Sequence, residues 1–480
     1  MTDSKPKNRT AKGLLWGGIG SGALQVLNLL FGIFLARLLS PADYGIVGAL
    51  TIFSAIAGIL TESGFILAIV NKKQATDDDY NAVFWFNVLI GIVCYLTLFF
   101  CAPIIANFYR TPEMIPLSRF LFLSFLVGGL AATPTAYFFR NLLVKERSLI
   151  MIVAILVSGT VGVICAYNGM GYWGIAVQTV LYSGMNALLL WIKCPWRPSL
   201  SFKMASLKSM LPFSVKQLIT SLFTQLNNNI FAVILGRLYG MQPTGYYTQG
   251  NKWTVMGYST LVGMINSVGQ PVFRETIDDT ERLRRVFRKM LRFAAFISFP
   301  AMFGLAIVAH ELIILAITEK WLSAVSIMHI LCIGGAFMPL SVLYGNLFNS
   351  LGKPGIYMWN TIALGLTQIA CAIVSYRFGM NVMLIAYTSI NILWILVWQF
   401  FAHKHIGLRL TEVLKDILPY LSITILVMAA ALFIASFVDS LILSLLIKIS
   451  VAATLYILLL RQLNSVVFNE CINYLLKRKS

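Results

Sequence analysis

The sequence predicts an all-α polytopic membrane protein of about fourteen transmembrane helices. Two six-helix lobes are related by a pseudo-two-fold axis along the membrane normal, with two further C-terminal helices. Three observations predict this. Of 480 residues, 58% are hydrophobic and 11% charged, and the mean hydropathy is +0.80, outside the range of soluble domains. Apolar stretches of about 20 residues, the length that crosses a bilayer, recur along the whole chain between short polar turns. The chain also repeats itself at an offset of 200 residues: Ile19 aligns with Ile219, Ser21 with Ser221, Gln25 with Gln225, Asn28 with Asn228, Phe31 with Phe231, Arg37 with Arg237 and Gly45 with Gly245. Chance matches of apolar residues are common, but matches of Gln, Asn, Arg and Gly are not. Six spans separate the copies, so both halves enter the membrane from the same side.

Taken in order, residues 1–12 form a polar, basic cytoplasmic tail. The apolar helix after it has no small-residue cleavage site and reads as a retained first span. Spans follow at 13–39, 44–70, 81–106, 116–138, 148–167 and 172–192, making an N-lobe over 13–192. A cytoplasmic linker at 193–211 leads to spans at 214–238, 246–272, 290–309, 324–350, 356–378 and 382–402, a C-lobe over 212–404. Additional helices at 414–438 and 441–460 occupy 405–460, and 461–480 is a cytoplasmic tail. Pro212, Pro271, Pro300 and Pro339 fall in or beside spans, where neighbouring helices or water satisfy the carbonyls they free. The longest non-spanning segments, 193–211 and 274–289, are too short for a folded soluble domain. The segment 274–292 places Leu283, Val286, Met290 and Leu291 on one face and reads as a surface helix running into the next span.

Orientation follows from lysine and arginine. With the N-terminus inside, cytoplasmic segments hold about 28 of them and the opposite side about 5. Both termini are therefore expected in the cytoplasm. The net charge of +19 is an orientation and anionic-lipid signal, not evidence for nucleic acid. The seven cysteines are scattered without C-x-x-C spacing and read as small apolar residues.

The most informative stretch is 216–252. At 100° per residue, Lys216, Gln217, Thr220, Ser221, Thr224, Gln225, Asn227 and Asn228 occupy one half of a helix, and apolar residues occupy the other. A helix this polar cannot face lipid on all sides, so it lines water. In the next helix Lys252, Ser259, Asn266 and Gln270 share a face, and in the first span so do Ser21, Gln25 and Asn28. The bland alternative is that these groups hydrogen-bond neighbouring helices, and for the lysines that they reach toward headgroups. Arg37 and Arg237 are expected at the side opposite the cytoplasm as interfacial anchors or lobe-closing contacts. Glu62 is the only acidic residue well inside the first dozen spans expected from the sequence and the candidate for a proton or sodium site, or for a structural pair with a cation such as Arg37. Glu311 and Glu319 are expected as solvated carboxylates near the surface opposite the cytoplasm. The four histidines show no metal-ligand spacing, and no catalytic residue or metal site is expected.

The segments GIFLARLLSPADYGIVGAL, ESGFILAIVNKKQATDDDYNAVFWFNVLIG and FAVILGRLYGMQPTGYY resemble the polysaccharide transporter (Wzx-like) family of the multidrug/oligosaccharidyl-lipid/polysaccharide flippase superfamily. The resemblance spans essentially the whole chain. It implies two six-helix bundles around a V-shaped cavity and flipping of polyprenyl-diphosphate-linked oligosaccharide from the cytoplasmic to the periplasmic leaflet of a bacterial inner membrane. Such flipping serves lipopolysaccharide, capsule or exopolysaccharide biosynthesis, with no enzymatic step and no cofactor beyond coupling to H+ or Na+. Partners so implied are the lipid-linked oligosaccharide, the bilayer and a polysaccharide polymerase or export complex. For that cargo Lys216 and Lys252 suit the diphosphate, and Gln25, Asn28, Gln225, Asn227 and Asn228 suit sugar hydroxyls. A multidrug cation antiporter would keep the lobes but favour acidic and aromatic linings. A membrane polymerase or glycosyltransferase would need carboxylates or a sizeable external loop, and an accessory scaffold would not need the polar half-helix.

Overall fold

The computed structural model describes residues 6–62, 65–72, 75–200 and 203–477. Among these residues every regular element is a helix. α1 (Pro6–Leu38) is followed by α2 (Pro41–Glu62) and α3 (Phe65–Asn71), which cover the expected second span except for residues 63 and 64, outside the described residues. α4 (Asp77–Tyr109) is unbroken, whereas the expected fourth span divides at Phe122 into α5 (Met114–Leu121) and α6 (Leu123–Arg140). Next come α7 (Val144–Tyr167), α8 (Trp173–Lys193), α9 (Met204–Leu238) and α10 (Met241–Glu275). α11 (Thr280–Ile307) turns at Val308 into the short α12 (Ala309–Ile317). α13 (Ser323–Ser350), α14 (Pro354–Ser375), α15 (Met380–Ile406), α16 (Leu410–Ala435) and α17 (Leu441–Gln462) cover the remaining expected spans, and α18 (Val466–Lys477) follows them. Twelve described segments are long and apolar enough to cross a membrane. α9 and α10 fall outside that set. α10 carries Gln242, Gln249, Asn251, Lys252, Asn266 and Gln270 in a single helix.

Contacts divide the chain into two compact units, Met1–Gly245 and Tyr246–Ser480. In the first, α9 packs on α2, α3 and α4, so the units part after α9 while the sequence repeat restarts with it. α4 and α6 approach through a reciprocal pair of glycines. A Cβ on Gly91 would lie 2.8 Å from the Phe125 carbonyl oxygen, and one on Gly129 would lie 2.6 Å from that of Asn87. Such small-residue seams replace the hydrophobic effect as the basis of helix packing in lipid. At one end of α4, Thr76 and Asp79 form a capping box, and Asp79 also pairs with Lys72 at 2.7 Å. There Arg140 donates to the Ile69 and Lys72 carbonyls, 2.6 Å each, closing the end of α3. The segment after α8 is pinned to α4 by Asn81, which donates to Ser199 Oγ and accepts from Ser199 N, both at 2.8 Å. Tyr80, Phe84, Trp191 and Trp196 pack edge-on and tilted around this junction.

In the second unit α11 begins where Asp279 accepts from Arg282 N at 3.0 Å, a side-chain N-cap. Leu283, Phe287 and Leu291, four apart, are fully buried. From Thr280 the segment runs without a break into the rest of α11, as expected of a helix leading into the next span, and this face is buried against protein. α10 ends at Glu275 and α11 starts at Thr280, docked on its neighbours. Arg288 reaches α16, bonding Asp416 at 2.7 Å and Glu412 at 2.9 Å. α17 turns a stripe with a period of four residues inward: Ser444, Lys448, Ala452, Tyr456 and Leu460. Tyr456 donates to the Phe296 carbonyl at 2.8 Å. Pro300 of α11 has no N–H for that carbonyl, so α17 supplies the missing donor.

Candidate functional site

α1 shows how the polar residues are presented. Gly20 packs against Ser148 of α7, and Phe31 lies over Gly159 of the same helix. This buries one arc of α1. Ile19, Val26 and Leu30 are exposed on a second arc, and Ser21, Gln25 and Asn28 are exposed on a third. At 100° per residue the two exposed arcs lie about 150° apart. One is as apolar as a lipid-facing surface should be, and the other is wholly polar. A helix inside a bilayer that shows both faces must have water on the second.

On α9, Asn228 is exposed while Ser221, Thr224, Gln225 and Asn227 are half-buried. Asn229, which the sequence reading did not single out, donates to the Gln225 carbonyl at 2.9 Å and lies 3.4 Å from Gln225 Oε1. The Gln225 side chain is thereby partly engaged within its own helix. The side chains of Lys216 and Glu62 lie outside the described residues. Arg237, at the end of α9, donates to the Phe108 carbonyl at 2.6 Å and lies over the Phe108 ring at 5.3 Å, so it caps the last turn of α4. Arg37 is exposed at the corresponding end of α1.

α10 holds the cation of greatest interest. Lys252 is half-buried and, among the described residues, has no carboxylate in ion-pair range and no hydrogen-bond partner. Two further donors on the same turn, Gln249 Nε2 and Trp253 Nε1, are buried and equally unpartnered. This turn of α10 is therefore rich in donors without acceptors, which suits an anion. Farther along, Asn266 and Gln270 do not face open water alone. Asn346 of α13 accepts from Gln270 at 3.2 Å and donates to Asn266 at 3.1 Å. Gln249, Trp253 and Asn346 were missed because helical periodicity shows which residues share a face but not what that face meets. Tyr247, buried on α10, also escaped notice.

The repeat itself makes a contact. A Cβ on Gly45 of α2 would overlap the Met241 carbonyl oxygen, and a Cβ on Gly245 of α10 would overlap that of Pro41. Positions 41 and 241, and 45 and 245, are repeat partners, so the crossing is isologous. Tyr109 of α4 donates to the Ala49 carbonyl at 3.2 Å beside it.

One expectation is overturned. Glu311 is no solvated surface carboxylate. It is 4% exposed and ion-paired with Lys448 of α17. Lys448 could have been noticed as a cation in mid-span that belongs to neither side of the lysine and arginine count. Among the described residues no group of His, Cys, Asp and Glu has the arrangement of a metal site.

An all-helical chain with twelve described segments long and apolar enough to cross a membrane, some carrying polar stripes, is a multi-pass membrane protein. The fold is that of known flippases and exporters. The structure matches lipid II flippase MurJ in an inward closed conformation with a TM-score of 0.74 at 16% identity, over 94% of this chain and 99% of that one. It matches an inward-facing multidrug resistance MATE family transporter of the MOP superfamily with a TM-score of 0.67 at 16% identity, over 80% and 94%. Residues 34–326 match the family profile described as polysaccharide biosynthesis protein, and the chain belongs to that family. Lipopolysaccharide biosynthesis protein WzxC of Escherichia coli (strain K12) is 28% identical over 357 residues, 73% of this chain and 72% of that protein. Succinoglycan biosynthesis transport protein ExoT of Rhizobium meliloti (strain 1021) is 21% identical over 363 residues, 75% and 73% respectively.

Proposed function

We propose that this protein flips polyprenyl-diphosphate-linked polysaccharide repeat units from the cytoplasmic to the periplasmic leaflet of a bacterial inner membrane by alternating access. It transports without catalysing a reaction, and both termini lie in the cytoplasm. The family and its relatives in lipopolysaccharide and succinoglycan biosynthesis support the class of cargo. The observation that carries the reading is Lys252, a half-buried ammonium with no counter-charge among the described residues. A diphosphate brings about two negative charges that must leave bulk water to cross, and fixed donors inside the protein offset that loss.

Lys252 and Lys216 hold the diphosphate, while Gln25, Asn28, Gln225, Asn227 and Asn228 bond sugar hydroxyls. Arg37, Arg237 and the α2–α10 crossing act as the periplasmic gate, with Glu62 as an acidic coupling residue for H+ or Na+. A polymerase or export complex receives the flipped units. An organic-cation exporter would be repelled by an unpaired ammonium on its path. The test is flipping of fluorescent polyprenyl-diphosphate sugar in vesicles with Lys216→Ala and Lys252→Ala beside wild type. Unchanged transport in both variants would remove the site assignment.

A further inference from the structure

The elbow between α11 and α12 gathers four ionisable side chains from three helices, none used by the substrate contacts above: His310 and Glu311 on α12, His329 on α13 and Lys448 on α17. Glu311 and Lys448 are 4% and 8% exposed and paired through Glu311 Oε1. Ser444, one turn before Lys448, donates to the same oxygen at 2.8 Å. Lys448 also donates to the Ile307 carbonyl at the end of α11, at 3.0 Å. Glu311 Oε2, in contrast, is buried and accepts no hydrogen bond. Both histidines are exposed. His310 adjoins Glu311 on α12, and His329 is on α13, which packs against α12. Glu319 and Lys320, in the turn after α12, are exposed.

A helix junction needs no such cluster for stability, since well-packed apolar residues replace a buried ion pair at no loss or with a gain. Ionisable residues inside a membrane protein mark ion and proton paths. Here an open acceptor oxygen lies beside a buried ammonium, with exposed imidazoles nearby. We propose that the elbow is a proton-binding switch: a proton arriving by His310 and His329 binds Glu311 at Oε2, and Lys448 then withdraws from Glu311 and from the Ile307 carbonyl, freeing α12 to move against α11. The O–H bond on Glu311 forms as an N–H bond of the delivering imidazolium breaks, which leaves that histidine neutral, and the charge of the Glu311–Lys448 pair rises from zero to plus one. The buried ammonium is left without its counter-ion, which drives the withdrawal.

Burial raises the Glu311 carboxyl, but the hydrogen bonds from Lys448, its own backbone N–H and Ser444 outweigh burial and hold it below its ordinary value. With Lys448 withdrawn, the balance tips back toward burial and the carboxyl rises. Proton affinity therefore changes with the position of the elbow, as coupling requires. The inference rests on the transport reading, to which it adds a second acidic site besides Glu62.

Two measurements on the full chain in lipid test it. Infrared spectroscopy of Lys448→Met at neutral pH should show a protonated carboxyl band that Glu311→Gln/Lys448→Met lacks. In vesicles, an imposed pH gradient should accelerate flipping of labelled polyprenyl-diphosphate sugar by wild type and by Tyr456→Phe, which loosens α17 without touching a charge. Glu311→Gln should lose that acceleration entirely, whereas a merely structural role would lower its rate by one factor with and without the gradient. Absence of the band in Lys448→Met, or a gradient response in Glu311→Gln equal to wild type, would overturn the switch. If wild type moves no labelled lipid under either condition while the band behaves as stated, the transport reading fails and the proton site stands.

Discussion

The hydrogen bond from Tyr456 to Phe296 makes a quantitative prediction about how α17 is held. Pro300 leaves the Phe296 carbonyl without its helical donor, and the Tyr456 hydroxyl, 2.8 Å away, takes that place. Tyr456 is 8% exposed, so after Tyr456→Phe no water replaces the lost donor. An unsatisfied buried carbonyl costs about 1–3 kcal/mol, while interhelical hydrogen bonds in membrane proteins average about 0.6 kcal/mol and reach about 1.7. Tyr456→Phe should therefore destabilise by about 1–2 kcal/mol. In a Pro300→Ala background the residue-300 N–H is restored to the Phe296 carbonyl, and the same change should then cost under about 0.5 kcal/mol. The assay is equilibrium unfolding in mixed detergent with sodium dodecyl sulfate, run as a double-mutant cycle. Equal costs in both backgrounds would show that the hydroxyl does not serve the carbonyl freed by Pro300.

Three other outcomes follow from the site. Cysteines at Ser21, Gln25 and Asn28 should react with a membrane-impermeant maleimide, whereas cysteines at Ile19, Val26 and Leu30 should react only with a lipid-soluble one. Equal labelling of the two sets would contradict a hydrated face on α1. Lys252→Met removes an ammonium without a partner, so the empty protein should unfold at equal or higher detergent concentration while flipping falls at least about tenfold, the loss of about 1.4 kcal/mol of interaction; marked destabilisation would mean that Lys252 holds the fold. Gly245→Val should push α10 away from the Pro41 carbonyl and raise solvent labelling of a cysteine placed at Ala42. Unaltered labelling would show that the crossing does not close that end.

The repeat at an offset of 200 residues was legible because Gln, Asn, Arg and Gly recur in register, and the structure brings Gly45 and Gly245 to one crossing. The three arcs of α1 were legible for a related reason: a helix of known period needs only the sequence to show which residues share a face. What each face meets was not legible. Glu311 and Lys448 lie 137 residues apart, so the carboxylate read as a surface residue and the lysine as an interruption in an apolar run. Asn346 is 76 residues from Gln270, and nothing local marks it as that amide's partner. The breaks at Val308 and Phe122 escaped because both lie in continuous apolar sequence, and only tertiary donors such as Lys448 make the opened carbonyl at Ile307 tolerable.

Fixed donors that shelter a diphosphate while its lipid tail stays among the acyl chains should make flipping depend on the charged headgroup. The decisive comparison, in vesicles holding wild type or Lys252→Ala, is between flipping of a labelled polyprenyl-diphosphate sugar and of the same sugar on a neutral polyprenol. Wild type should flip the diphosphate form alone, and Lys252→Ala should lose most of that advantage. Equal rates for the charged and neutral lipids in wild type would contradict the account.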